Sequence, residues 1–324
     1  MRLLVVCLLL FFCNALKAFD KVVIWGHKLH SHTHSYIHNA FFCAFQEMGY
    51  SVFWFDSKDN IDNIDFKNTL FITEGQADKG IPLRDDCFYV LHNCDSTKYK
   101  PYFNKKQAVT LQVYTDDVLT RKCEKIAPCI FYDIKGQCLY MPWATDLLPR
   151  EIDIVKNSLL NVKKTKNIAW VGTFGGGYFG NIEQITPFIE AAKSQKIEFK
   201  NYGSLSIEEN LNVIRSSYMA PAIVGKWQQE KGYIPCRIFK NISYGKMGVT
   251  NSERVCELFE GKIVYNPNSY QLFFDAQEKI NKMSLNELYE LMDFVRDNHT
   301  YINRIHTILD FIEKVQSSYV GIIG

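Results

Sequence analysis

The chain has no Cys-x-x-Cys pair, so its ten cysteines do not spell a zinc ribbon. It has no surplus of one charge either. Its 37 basic and 35 acidic residues leave a net +2, which gives no electrostatic case for nucleic acid as a partner. No short internal repeat and no low-complexity tract occurs, and no segment after the N-terminal leader is apolar enough to cross a membrane. An Asp-x-Asp pair, two carboxylates that could share a metal ion, is missing as well.

What is present begins with a secretory pattern. Arg2 precedes the apolar run Leu3 to Cys13, and small residues follow at Ala15 and Ala18. Residues 1–18 read as a signal peptide, which sends the chain into the secretory pathway or the periplasm; a short N-terminal membrane anchor is the alternative. Eight cysteines then remain, with Cys87 and Cys94 at opposite ends of one strand-like run and out of reach of each other. Cys123, Cys129 and Cys138 are better placed for a disulfide, around a hairpin that turns at Lys135-Gly136. Aromatic residues make up 14%, which suits a sugar-handling cleft and equally an A+T-rich gene.

With 324 residues the chain has room for two ordinary domains. Lys21 to Trp25, a polar loop, a helix over Tyr36 to Met48, Gly49 and a strand over Ser51 to Phe55 form a βαβ unit. The pattern continues through Thr69 to Thr73, Cys87 to His92 and Ala108 to Val113. It starts again at Asn167 with a strand, the glycine-rich loop Gly172 to Asn181 and a helix, then strands at Glu198 to Tyr202 and Ala220 to Gly225. The expected fold is α/β: two Rossmann-like domains facing across a cleft, residues 19–150 and 151–324. They are joined near Pro142 to Asn161 and closed by terminal helices from Leu285 to Val315.

The densest chemistry lies in Gly232 to Ser252. Pro235 suits a helix start, Ile238, Phe239 and Ile242 form an apolar stripe, and Gly245 is placed to end the helix. Arg237 and Lys240 in the first two turns make the helix N-terminus an anion site, with nucleotide phosphates as the natural anion. The loop holding Gly172, Thr173, Gly175, Gly176 and Asn181 follows a strand and brings backbone N–H groups within reach of a phosphate. Trp227 can stack a base or sugar ring.

Pro235, Arg237, Phe239 and Gly245, followed by an apolar strand, resemble the donor-binding segment of GT-B glycosyltransferases, closest to the spore-maturation and group-1-like branches. His299 to Ile305 resembles the closing helix of the same branch. The resemblance implies a metal-independent glycosyltransferase using a nucleotide sugar, a glycan or other hydroxyl acceptor, and no cofactor. The missing Asp-x-Asp agrees, because GT-A enzymes use that pair to hold a metal on the donor diphosphate. Implied donor contacts extend to Asn241, Tyr244, Thr250, Asn251 and Ser252. One position departs: the family glutamate that binds the donor ribose falls on Lys240, which suggests an added diphosphate contact. Glu230 is then the candidate for the ribose.

His27, His30, His32, His34 and His38 crowd the first loop and helix. An imidazole there can serve as general base for an acceptor hydroxyl, with His32 and His34 first in line. Metal binding and simple structural roles remain open, with Thr33 or Ser35 capping the helix. Glu74 ends a strand at the edge where open sheets carry function and joins the catalytic set; His30, His38 and His92 are acceptor candidates. A metal-dependent hydrolase built on this loop, and a non-catalytic GT-B-like binding protein, are the rival readings.

Overall fold

The computed structural model describes residues 19–32, 34–115, 123–203 and 205–320; the expected signal peptide and Thr33 lie outside them. The apolar run Lys21–Trp25 forms β1, paired in parallel with β2 (Val52–Phe55) and β3 (Thr69–Glu74). Next come β4 (Phe88–His92), β5 (Ala108–Gln112) and, in antiparallel return, β6 (Glu124–Ala127), β7 (Ile130–Asp133) and β8 (Cys138–Tyr140). The sheet order is β2-β1-β3-β4-β5-β8-β7-β6, and the hairpin at Lys135-Gly136 is present between β7 and β8. β3 and β4 are buried along their whole length, as strands covered on both faces must be.

The second half repeats this plan. β9 (Asn167–Val171) pairs in parallel with β10 (Glu198–Tyr202), and β11 (Val249–Thr250) with β12 (Val264–Tyr265). The segment expected as a strand over residues 220–225 lies between them but makes only two bridges, Met219 to Ile168 and Ala222 to Thr250. Pro221 explains the thinning, since it has no N–H to give a ladder. Counting this segment as a strand, both halves have the order 2-1-3-4-5. The order therefore reverses beside the first strand of each, and ligands collect at such reversals, outside the carboxyl ends of the strands.

Helix α1 (Ser35–Glu47) follows β1 with His34 at the N-cap position and no side-chain cap bond from it. The Ser35 hydroxyl instead ties the loop before it, donating to the His32 carbonyl and accepting from the His30 N–H. The terminal helices divide differently from expectation. Leu285–Asn298 buries Leu288, Leu291, Met292 and Val295 in the core of the second half. Tyr301–Val320 crosses back, placing Tyr301, Ile305, Ile308 and Phe311 against Phe41 and Phe45 of α1. The last helix, within the range 151–324 read as the second domain, thus adds its apolar stripe to the first core. Cys129 carries a free thiol, buried against the second core, so it takes no part in the disulfide considered for it.

The chain crosses between halves at Pro142 to Leu148 and again at Asn298 to Thr300. Arg304, 1% exposed, pins both crossings: Nε donates to the Pro142 carbonyl at 2.8 Å, Nη2 to that of Trp143 at 3.1 Å and Nη1 to that of Asn298 at 3.1 Å. Replacing it leaves three carbonyls short of a donor, each at about 1–3 kcal/mol when buried. Arg304→Ala is expected to lower unfolding stability by about 3–4 kcal/mol in urea titration; a loss below 1 kcal/mol would show that the crossings hold without it.

Candidate active site

At the reversal point of the second half lies a cavity of about 500 Å³, within the usual size range for small-molecule sites. Thr173, Gly175, Gly176 and Asn181 form one wall; Pro235, Arg237, Lys240 and Asn241 form the other. The helix Cys236–Ser243 starts there with Pro235 as its N-cap. Two features of the loop require glycine. Gly172 has φ +110°, with Arg237 Nη2 3.1 Å from where a Cβ would sit, and at Gly180 a Cβ would meet the Gly175 carbonyl oxygen at 2.0 Å.

Arg237 is the charge this cavity keeps. Its guanidinium lies 3.7 Å from the centre of the Trp170 ring, and Nη2 donates to the Val171 carbonyl at 3.0 Å. Burial lowers its pKa from the ordinary value, yet an arginine starts so high that it stays charged. Among the described residues it forms no ion pair with a carboxylate. Lys240 differs, with Nζ 2.8 Å from Asp146. Burial alone would depress the Lys240 amine, but Asp146 raises it, so it is charged and already compensated. The expected extra diphosphate contact at Lys240 therefore gives way to a fixed ion pair, in which Tyr244 also donates to Asp146 at 2.7 Å.

Several donor candidates lie outside the cavity. Tyr244 is buried on Asp146; Gly245, at φ +84°, ends the helix against Leu159. Thr250, Asn251 and Ser252 are buried in bonds that anchor the preceding crossover, Thr250 to the Ala222 carbonyl and Asn251 to both Val224 backbone groups. An eight-residue helix is about 12 Å long, so its far end cannot serve the site at its start. Glu230 is exposed and does not line the cavity; Gln228 does. Trp227 sits at the rim, packed edge-on against Phe179 and Tyr114 at 4.8 and 5.2 Å. Asn241 faces the cavity with its amide donated to the Ala220 carbonyl, so its glycosylation sequon is unusable in the folded chain.

Across the cleft, the reversal point of the first half carries the histidines. Glu74 ends β3 with a side chain 4% exposed; His27 Nε2 lies 3.0 Å from Oε1 and His34 Nδ1 3.2 Å from Oε2. Burial would raise the Glu74 carboxyl, but His34, the Gln76 N–H and His27 outweigh it and hold it down at about 2. The His32 ring lies tilted against that of His27 at 4.2 Å; its Nδ1 accepts the His34 N–H at 3.2 Å, so the neutral ring carries its proton on Nε2, and Gln76 is a further side-chain partner. Burial, then the charges of His27 and His34, lower the His32 pKa.

A second cavity of about 430 Å³ joins the halves, lined by His30, His32 and Tyr36 on one side and by Gly172, Thr173, Asn210 and Lys240 on the other. His30 adopts φ +67° there, with Nδ1 3.2 Å from the Tyr36 hydroxyl. His38 and His92 do not reach it. Both are buried, bonded to the carbonyls of His27 and Leu111, and burial takes each down to about 4, so they support the loop from below. Tyr36, Asn210 and Gln228 are wall residues that sequence reasoning missed, since nothing in their local pattern marks them. His27 had a signal in the histidine crowding but no role until Glu74 was seen beside it.

No family model matches the chain, and no curated protein matches its sequence. Solved structures do. One is an alpha-glucosyltransferase in complex with UDP and a 13-mer DNA containing a HMU base, with TM-score 0.60 and 11% identity, covering 90% of this chain and 99% of that one. Another is an alpha-glucosyltransferase in complex with UDP-glucose and DNA containing an abasic site, with TM-score 0.56 and 11% identity, covering 90% and 98%. A third is AviGT4, a glycosyltransferase involved in avilamycin A biosynthesis, with TM-score 0.55 and 9% identity, covering 92% and 98%. At such identities the likeness is one of fold, and it does not narrow to the spore-maturation branch. The chain has the GT-B arrangement of two Rossmann-like domains.

Proposed function

We propose that this protein is a glycosyltransferase that moves a sugar from a nucleotide sugar to a hydroxyl acceptor, with no metal on the donor diphosphate. The observation that carries this reading is Arg237, a stacked and uncompensated cation in the reversal-point cavity of a GT-B fold. A departing diphosphate needs charge compensation. Arg237, the backbone of the glycine-rich loop and the N-terminus of the following helix supply it. UDP is the nucleotide to try first, because the neighbours named above hold UDP or UDP-glucose.

The acceptor enters the cavity between the halves, and the base is a His32 whose proton has moved from Nε2 to Nδ1, a tautomer that gives up the His34 N–H and frees Nε2 to take the hydroxyl proton. Glu74 acts one step behind as a positioning residue: fixed in the ionised form, it holds His27 and His34, which in turn fix the His32 ring. A glycan or glycoconjugate hydroxyl is the acceptor class. The expectation that excluded nucleic acid does not carry over, since two neighbours were solved with DNA, and a DNA duplex belongs in the acceptor panel. The signal peptide read in residues 1–18 makes a secretory or periplasmic setting part of the proposal.

One observation favours a second reading. His27, His32 and Glu74 offer ligand atoms within 4.8 Å of one another, a donor set that suits a divalent cation. A hydrolase built on such an ion would lose its activity with chelator, whereas the proposed transferase keeps it.

Two outcomes test the transferase. Arg237→Ala removes a charge-assisted contact of about 1.5–3 kcal/mol, so UDP affinity measured by calorimetry falls about 10–100-fold, with chelator making no difference. Unchanged UDP affinity in that variant would end the donor assignment. His32→Gln keeps UDP binding and lowers kcat by about 10²–10⁴-fold. Because the His32 pKa is lowered from 6.5, its neutral form dominates at pH 7, and the wild-type rate drops only as pH falls below 6.5. An acid limb at or above pH 7, or one that survives in His32→Gln, would assign the base elsewhere. UDP binding with no turnover on any acceptor would leave a binding protein.

A further inference from the structure

Lys164, Arg215 and Lys246 meet at the amino edge of the second sheet, opposite the cleft, where three segments enter their strands. Lys246 is 5% exposed, and its Nζ donates to the Ser217 carbonyl. Lys164 and Lys246 line the same cavity, and Lys164 Nζ donates to the Arg215 carbonyl at 3.1 Å. Arg215 binds Ser158 through Nη2 at 2.8 Å, while its buried Nε has no partner among the described residues. Among those residues no carboxylate acts on any of the three. Burial and the neighbouring cations push both amines down, Lys246 well below its ordinary value.

Two ammonium groups lining one cavity repel each other unless a counter-anion lies between or beside them. A buried lysine without an acid is also costly, and structures retain one where something completes it. The space around these amines is a cavity of about 250 Å³ whose walls are mostly apolar, with Leu159, Met247, Ile280, Met283 and Leu288 among them and Thr165, Ser217 and Tyr218 beside the amines. That is slightly below the ordinary small-ligand range. Inorganic phosphate would leave the aliphatic walls uncovered, and a neutral hydrocarbon would leave the amines without a counter-charge.

The geometry points to a binding site for a small aliphatic anion, its single charged head on Lys164 and Lys246 and its tail among the leucine, isoleucine and methionine side chains. This site is separate from the donor and acceptor cavities and does not rest on the transferase reading. Carboxylates and phosphate monoesters share the required chemistry.

Thermal melts of the full chain at pH 7 test it with octanoate, octyl phosphate, octanol and inorganic phosphate as probes. Octanoate or octyl phosphate at saturation should raise Tm by about 2–4 °C, with the tighter binder naming the head group, while octanol and inorganic phosphate do nothing. Lys164 is exposed, so Lys164→Met folds normally and should weaken the effective anion at least tenfold. Lys246→Met should abolish the anion's effect and, if it alters the melt of the free protein, should raise rather than lower it. Failure of both amphiphilic anions to shift Tm would overturn the proposal. So would an equal shift by octanol, or an undiminished one in Lys164→Met.

Discussion

The arrangement depends first on the double crossing pinned by Arg304. Two facing sheets share one cleft only when the carboxyl edges of both turn toward it, and a single linker would leave their orientation loose. Here the chain passes over at Pro142 to Leu148 and back at Asn298 to Thr300, and one buried guanidinium satisfies carbonyls from both passages. The bridge between Thr145 and Thr300, with the Thr145 N–H on the His299 carbonyl, closes the same junction. The returning helix then adds its apolar stripe to the first core, so the crossing is held by packing as well as by polar contacts. The cost of burying Arg304 is met because most of its donors find acceptors, which is the condition under which a buried charge is tolerated.

From that junction the charge pattern of the cleft follows. Asp146 leaves the first crossing and meets Lys240, so the pair is neutral and structural. Arg237, one turn earlier on the helix, is stacked on Trp170 and held by one carbonyl, neither of which cancels its charge. Cation–π stacking fixes the plane of a guanidinium while leaving edge donors available, which suits recognition of phosphate oxygens. Two basic residues that look equivalent in sequence are therefore opposite in role. The difference lies in a partner about ninety residues away.

That contrast marks how far the sequence could be read. The α/β alternation, the second start at Asn167, the hairpin at Gly136 and the loop-plus-helix cavity followed from local signals: apolar runs, glycine placement, Pro235. Asn251 and Tyr244 were misplaced because their burial depends on Val224 and Asp146, which no local pattern announces. The last helix was assigned to the wrong half for a similar reason. Its amphipathic stripe says that it must be buried, and only tertiary contact says against which sheet. Glu230 ends a five-residue helix of which Gln228, at its middle, lines the wall, a placement set by how the helix packs.

The histidine cluster is the place where local crowding and tertiary position reinforce each other. Five imidazoles in sequence would repel if all were protonated, and buried ones lose hydration when charged. The fold separates them by depth. His38 and His92 lie beneath and are held neutral by burial, while His30 and His32 face the cavity. A single carboxylate between His27 and His34 then organises the layer. Because Glu74 sits at the end of β3, beside the point where strand order reverses, the sheet fixes its position to within the pleat rather than leaving it to a mobile loop. The loop that carries His32 is tied to that fixed point through His34, and to α1 through Ser35. His32, on an irregular loop, thereby gains the positional definition of a strand.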